Sequence, residues 1–304
     1  MKLLQHHRLG VNHLHPNQRN RTRKKPKMHR CNDAHHRLIT LLTDFGYVDG
    51  YAGVMKGVIL KIVPDAIIVD ITHGIEPQDI TGAALVLWGS YRYFPHGAVH
   101  CVVVDPEVGT GRRSIVVRTR HYIFVAPDNG VISWAIQEDG IESVVEITNT
   151  RYMLPVVSQT FHGRDVFAPI AAHVARGVPI EEFGHALQID ELVQLPPLSV
   201  RMESGKLIGC IVHIDRFGNA ITNLKREEFE RWLTMQPTHK WIARIGASQF
   251  NRIARSYADA APNQPLILFN SYGLLEVAIN RGHASNELDL NVGDEFTIEC
   301  ECAH

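Results

Sequence analysis

The apolar residues of this chain fall into short β-branched runs, LITLLTD ending at Asp44, AIIVD ending at Asp70 and CVVVD ending at Asp105. Such runs, bounded by turn residues, suit strands buried on both faces. Amphipathic stretches at 51–63 and 78–93 separate them and suit helices. Further strands are predicted at 99–104, 114–119, 122–125 and 143–147, with a turn at Pro127–Gly130 and helices at 131–137 and 165–176. This alternation predicts an α/β domain over residues 38–191, a largely parallel sheet covered by helices on both faces. The proline-containing stretch 192–200 reads as a linker. Beyond it the pattern shifts to closely spaced strands at 206–214, 220–224, 239–245, 265–269, 274–279 and 295–300, which predict a smaller C-terminal antiparallel β-barrel domain over 201–304.

Residues 1–37 break this picture. They hold ten Lys or Arg, seven His and a single acid, Asp33, with no apolar periodicity, and read as a basic, disordered extension. A nucleic-acid arm, a localisation signal or a transit-like peptide are the other uses of such a segment, and Met28 offers a later start. The remainder is strongly acidic, so nucleic acid is not an expected partner. No apolar run reaches the roughly 18 to 20 residues of a spanning helix, and the expectation is a cytoplasmic protein with no membrane partner. Five scattered cysteines, at 31, 101, 210, 300 and 302, do not read as a disulfide framework.

In an open α/β sheet the ligand crevice lies outside the carboxyl ends of the strands, so the aspartates closing the first three runs are expected to converge. Asp44 and Asp49 flank glycines in TDFGYVDGYAG. A strand-end carboxylate there suits a ribose diol, and an N-cap for the following helix is the alternative for Asp49. The loop DPEVGTGRR brings Asp105 together with two arginines. An arginine held against Asp105 either keeps that carboxylate ionised and oriented or simply braces a turn. The segment TFHGRD adds His162, whose ring titrates near neutral pH, and Arg164. One His, one Asp and one Arg suit the positioning and activation of water. The arginines of these segments would repel a divalent ion and a Gly-x-Ser-x-Gly nucleophile turn is absent, so water attack with neither metal nor cofactor is favoured.

The motifs TDFG, DITH, VDPEVGTGRR, PDNG, TFHGRD, IDRFGNAITN and NSYGLLEVAINRG occur in this order. Taken together they resemble the S-adenosyl-L-methionine (SAM) hydrolases, or SAM hydroxide adenosyltransferases, relatives of the fluorinases and chlorinases. The resemblance runs from Leu38 to the C-terminus. It implies hydrolysis of SAM to adenosine and L-methionine by displacement at the ribose C5′. By position it assigns a water-activating triad to Asp105, Arg112 and His162. It further assigns the ribose diol to Asp44, the methionine ammonium to Asp49 and Asp215, the carboxylate to Ser271, an adenine contact to Asn219 and adenine stacking to Phe217. It also implies a homotrimer with sites shared between subunits. The halogenases resemble this chain less at Asp105, where they carry an aromatic residue. Glu107 departs from the usual glycine and Gln78 from the fluorinase tryptophan. A SAM-dependent halogenase and a non-catalytic SAM- or adenosine-binding module are the rival expectations.

Overall fold

Each of the first three β-branched runs becomes a strand, and all six residues of the first are buried. The computed structural model describes residues 37–301, which lie within one compact unit. Its first sheet uses β1 (Leu38–Thr43), β2 (Ile67–Thr72), β3 (Val99–Val103), β4 (Ser114–Thr119), β5 (Ile123–Pro127), β6 (Ile141–Ile147) and β7 (Gly184–Ala186). Helices α1 (Tyr51–Ile62), α2 (Ile80–Ser90), α3 (Ser133–Asp139) and α4 (Ala168–Ala175) lie between them in the chain. The strand order is β2-β1-β3-β5-β4-β6-β7.

The predicted largely parallel sheet is corrected to a mixed one. Only β1–β2, β1–β3 and β3–β5 pair in parallel, whereas β4 runs antiparallel to both β5 and β6, and β6 to β7. The cause was visible in the chain. A parallel crossover needs a dozen or more residues, but only residues 120–122 separate β4 from β5, so the two must form a hairpin.

Alternating residues of β1 enter two different cores. Leu38 and Leu42 join a cluster that includes Leu85 and Leu87 of α2 and Ile136 of α3, whereas Ile39 and Leu41 join one with Met55 and Ile59 of α1 and Ile170 of α4. Asp79 caps α2 by accepting from the Gly82 amide at 2.8 Å, one residue inside the start predicted from sequence.

The second sheet has nine strands and is nearly barrel-shaped. It contains β8 (Arg201–Glu203), β9 (Lys206–Ile214), β10 (Ala220–Lys225), β11 (Trp241–Ile245), β12 (Ser248–Phe250), β13 (Ile253–Ala254), β14 (Pro265–Phe269), β15 (Leu274–Ile279) and β16 (Glu295–Cys300), with α5 (Arg226–Thr234) and α6 (Ala284–Leu288). Pairing is antiparallel except between β13 and β14, which are parallel, a second departure from expectation. Phe229 and Trp232 of α5 fill its core together with Trp241 and Phe296. The stretch predicted as a linker is strapped to the first sheet's helices. The Trp134 indole N–H donates to the Pro196 carbonyl at 2.9 Å, the Leu195 amide to Ser133 Oγ at 3.2 Å, and Leu192 and Leu198 are buried. The proposed extension, residues 1–37, lies outside the described residues apart from Arg37, as do Cys302 and His304.

Because β1 is buried on both faces, Leu41→Ala and Leu42→Ala should each cost about 2–5 kcal/mol in chemical denaturation. Val69→Ala on β2, 37% exposed, should cost far less. A small loss at either leucine would contradict this packing.

Candidate active site

Thr43 at the end of β1 lies opposite Val103 at the end of β3, so the two neighbouring parallel strands deliver Asp44 and Asp105 to the same sheet edge. From there the chain after β3 forms a tight loop that returns at Arg112. Gly109 sits in this loop at φ +79°, and a Cβ there would stand only 2.1 Å from the Gln159 carbonyl oxygen. Glycine is thus required twice, for its backbone conformation and for the close approach of two chain segments. That approach brings Arg112 against the segment carrying His162.

Arg112 is the hub of the resulting cluster. Its Nε donates to Asp105 Oδ1 at 2.9 Å and Oδ2 at 3.0 Å, and one terminal nitrogen, Nη2, also bonds Oδ2. The same Nη2 lies 2.9 Å from His162 Nδ1. The other, Nη1, donates to Ser114 Oγ at 2.6 Å. Both side chains of the ion pair are only 5% exposed. The guanidinium also lies 5.2 Å from the ring centre of Phe167. Phe167 ends a π-helical turn, Gly163–Phe167, that follows His162 directly and runs into α4. Such wide turns re-aim side chains that an α-helix would point elsewhere.

A guanidinium has no acceptor, so His162 Nδ1 must accept and the ring hydrogen resides on Nε2. Burial, and next the positive charge of Arg112, push the His162 pKa below its ordinary value. The imidazole is therefore neutral at physiological pH and offers an N–H from its far side.

The other predicted residues form separate groups. Asp44 Oδ2 accepts the Gln78 amide at 2.8 Å, and Gln78 adopts φ +69°; Oδ1 has no donor among the described residues. Asp49 is exposed and does not cap α1, whose N-cap is Gly50 without a side-chain bond. Asp70 does not converge with Asp44 and Asp105 as expected. It lies within β2 and is held by Lys56 Nζ at 2.6 Å and by the buried His73 Nε2 at 3.1 Å. Arg164 braces the buried Asp165, which also accepts from the Ser158 amide and hydroxyl, each at 2.8 Å. Glu107 is accommodated outside the left-handed region, so the loop does not need glycine there.

On the second sheet, Asp215 shapes the turn after β9. Its Oδ1 accepts the amides of Phe217 at 2.8 Å and Asn219 at 2.9 Å, and its Oδ2 accepts Asn219 Nδ2 at 2.9 Å. Asp215, Phe217 and Ser271 line a cleft of about 500 Å³ with His213, Tyr257, Tyr272 and Glu276. Asn219 is buried and does not line this cleft, whereas Phe217 is 74% exposed. Among the described residues no hydrogen bond or ion pair joins this group to Asp105, Arg112 and His162.

Sequence reasoning missed Ser114, Phe167, Gly109 and Glu276. Only Glu276 carried a signal, as a lone acid inside the apolar run LLEVAI. Among the described residues no three His, Cys, Asp or Glu side chains gather as a metal-ligand set, and no helix is long and apolar enough to cross a membrane.

Two family models match the chain, the SAM hydroxide adenosyltransferase N-terminal domain over residues 39–184 and the C-terminal domain over 209–297. Proteins named (R)-S-adenosyl-L-methionine hydrolase from Methanocaldococcus jannaschii and Salinispora arenicola are 37% and 36% identical. The alignments cover 86% of this chain and 95% and 97% of those proteins. A fluorinase from an Actinoplanes species is more distant, at 30% identity over 86% of this chain and 97% of its own. The crystal structure of an uncharacterized conserved protein from Thermotoga maritima superposes with a TM-score of 0.78 at 38% identity, covering 86% of this chain and all of that one.

His162 links the cluster to pH. A histidine whose folded pKa is depressed binds fewer protons folded than unfolded, so its contribution to stability is present above about pH 6.5 and is lost as pH falls through the folded value. The melting temperature of the wild type should therefore drop between pH 7 and 5 by more than that of His162→Gln, which cannot titrate. Equal drops would refute the neutral, Arg112-bonded imidazole.

Proposed function

Because the chain belongs to the SAM hydroxide adenosyltransferase family through both of its halves, we propose that it hydrolyses S-adenosyl-L-methionine to adenosine and L-methionine. Water attacks the ribose C5′ with no metal or cofactor. The observation that carries this reading is the hydrogen-bonded contact of Asp105, Arg112 and His162. The Asp105 carboxylate supplies an acceptor and His162 Nε2–H a donor for water, and Arg112, bonded to both residues, fixes their orientation.

In this scheme the water oxygen forms a bond to C5′ while the C5′–S bond breaks, and its electron pair leaves with sulfur as the neutral thioether of methionine. The water proton passes to Asp105 and on to solvent. His162, with Nδ1 occupied by Arg112, orients the water rather than deprotonating it. Alignment of water, carbon and sulfur supplies much of the acceleration. The sulfonium is a good leaving group, so the attacking water needs no strong base, and the guanidinium fixes the orientation of the Asp105 carboxylate.

Asp44, through its free Oδ1, takes the ribose diol. Asp49 and Asp215 face the methionine ammonium, Ser271 its carboxylate, Asn219 the adenine edge and Phe217 the adenine face. The two groups of residues share no bond within one chain, which supports a homotrimer whose sites combine the first domain, 38–191, of one subunit with the second, 201–304, of its neighbour. The high exposure of Tyr47 (69%), Val48 (99%) and Phe217 (74%) beside these residues supports the same arrangement, since such apolar surface suits burial by another copy. The clusters served by α1 with α4 and by α2 with α3 support helices on both faces of the first sheet. A cytoplasmic location is part of the same proposal and rests on the sequence alone.

Incubation with SAM in ¹⁸O-water should place one heavy oxygen in the 5′-hydroxyl of adenosine and none in methionine. Asp105→Asn should lower kcat by about 10²–10⁴, the usual worth of general-base help. Adenosine without label, or a halide-dependent 5′-halo product in its place, would overturn the assignment.

A further inference from the structure

Glu276 lies in the middle of β15, 2% exposed, with apolar neighbours Leu275 and Val277 that are fully buried. Burial pushes its pKa up, so the fold places an acid where an apolar residue would be easier to accommodate. Both carboxylate oxygens are engaged. Tyr257 Oη donates to Oε1 at 2.8 Å, and Asn270 Nδ2 donates to Oε2 at 3.1 Å.

Asn270 continues the chain of bonds. Its Oδ1 accepts the Tyr272 amide at 2.9 Å and the Leu274 amide at 3.2 Å, which fixes which end of the amide faces Glu276. These bonds, with the Gly273 amide donating to the Asn270 carbonyl at 3.0 Å, define the turn between β14 and β15. Ser271 and Tyr272 stand on that turn and line the cleft. The Tyr272 ring is seated on α2 at Gly89, where a Cβ would come within 2.6 Å of it. The turn is therefore held by a ring from one side and by a buried carboxylate from beneath.

We propose that Glu276 is a positioning residue for the amino-acid end of the substrate: acting through Asn270, it locks the turn that presents Ser271. This rests on the cleft reading given above. Glu276 does not touch the reacting atoms, so its influence falls on substrate affinity and leaves the chemical step alone.

Reversing the direction of one hydrogen bond tests this. Asn270→Asp sets a carboxylate against that of Glu276 while keeping an acceptor for both backbone amides. It should raise KM for SAM about tenfold, the worth of one bond to a charged group, with kcat within about threefold of wild type. Glu276→Gln alone retains both bonds, because its amide can rotate to accept from Asn270 and donate to the Tyr257 hydroxyl, and it is measured as the single-variant reference of the cycle. In Asn270→Asp/Glu276→Gln the introduced amide donates to the introduced carboxylate, and KM should return to within about threefold of wild type. If Asn270→Asp does not fold, refolding and a restored KM in the double variant support the same network. An unchanged KM in Asn270→Asp, or a double variant no better than it, overturns the proposal. Wild-type protein that turns over SAM while the variants show no such pattern refutes this inference alone. Wild-type protein without turnover refutes the functional reading instead.

Discussion

Placing an arginine and an aspartate side by side, each only 5% exposed, is a constraint that the rest of this site obeys. Removing two charges from water costs several kcal/mol per ion unless nearly every donor and acceptor is matched. Here the matching is extensive. The carboxylate takes its bonds from the guanidinium, and the guanidinium spends its remaining hydrogens on His162 and Ser114 while its face covers Phe167. A pair so thoroughly bonded fixes the tautomer of the imidazole and the orientation of the carboxylate before any ligand arrives. Such preorganisation is what positioning a water requires.

The same economy governs the second group. Asp215 uses both oxygens to shape its own turn, and the Glu276–Asn270 bond shapes the neighbouring one. Asp215 acts directly on backbone amides, and Glu276 acts on them through the Asn270 side chain. Glycines complement this role by permitting close approach, of the Asp105–Arg112 loop to Gln159 at Gly109 and of Tyr272 to α2 at Gly89. Loss of either contact would leave the polar groups in place chemically and misplaced geometrically.

Much of the fold was legible because strongly apolar strands can be satisfied only by burial on both faces, as β1 illustrates. The mixed character of the first sheet was equally written in the short gap between β4 and β5, although the general rhythm of strand and helix argued for parallel pairing. Helix α5 escaped notice because its two buried aromatics, Phe229 and Trp232, are spaced among six polar residues and a single leucine. Among candidate residues, Asp105 and His162 stood out as acids and bases at strand and helix ends. Asp70 looked equivalent to Asp105 in sequence, yet Lys56 and His73 claim it. Only pairing in space separates a structural carboxylate from one left to face a ligand.

The chain alone therefore determined the longer strands and the residue types at their ends, because periodicity and turn chemistry are local properties, but not the short strands β7, β8, β12 and β13. The family resemblance, carried by seven ordered motifs, was likewise a property of the chain. Tertiary structure decided which nitrogen of His162 bears hydrogen and which acid serves the fold instead of the site. Those outcomes depend on which side chains meet in space, Arg112 and His162 across 50 positions and Lys56 and Asp70 across 14, which no local pattern encodes.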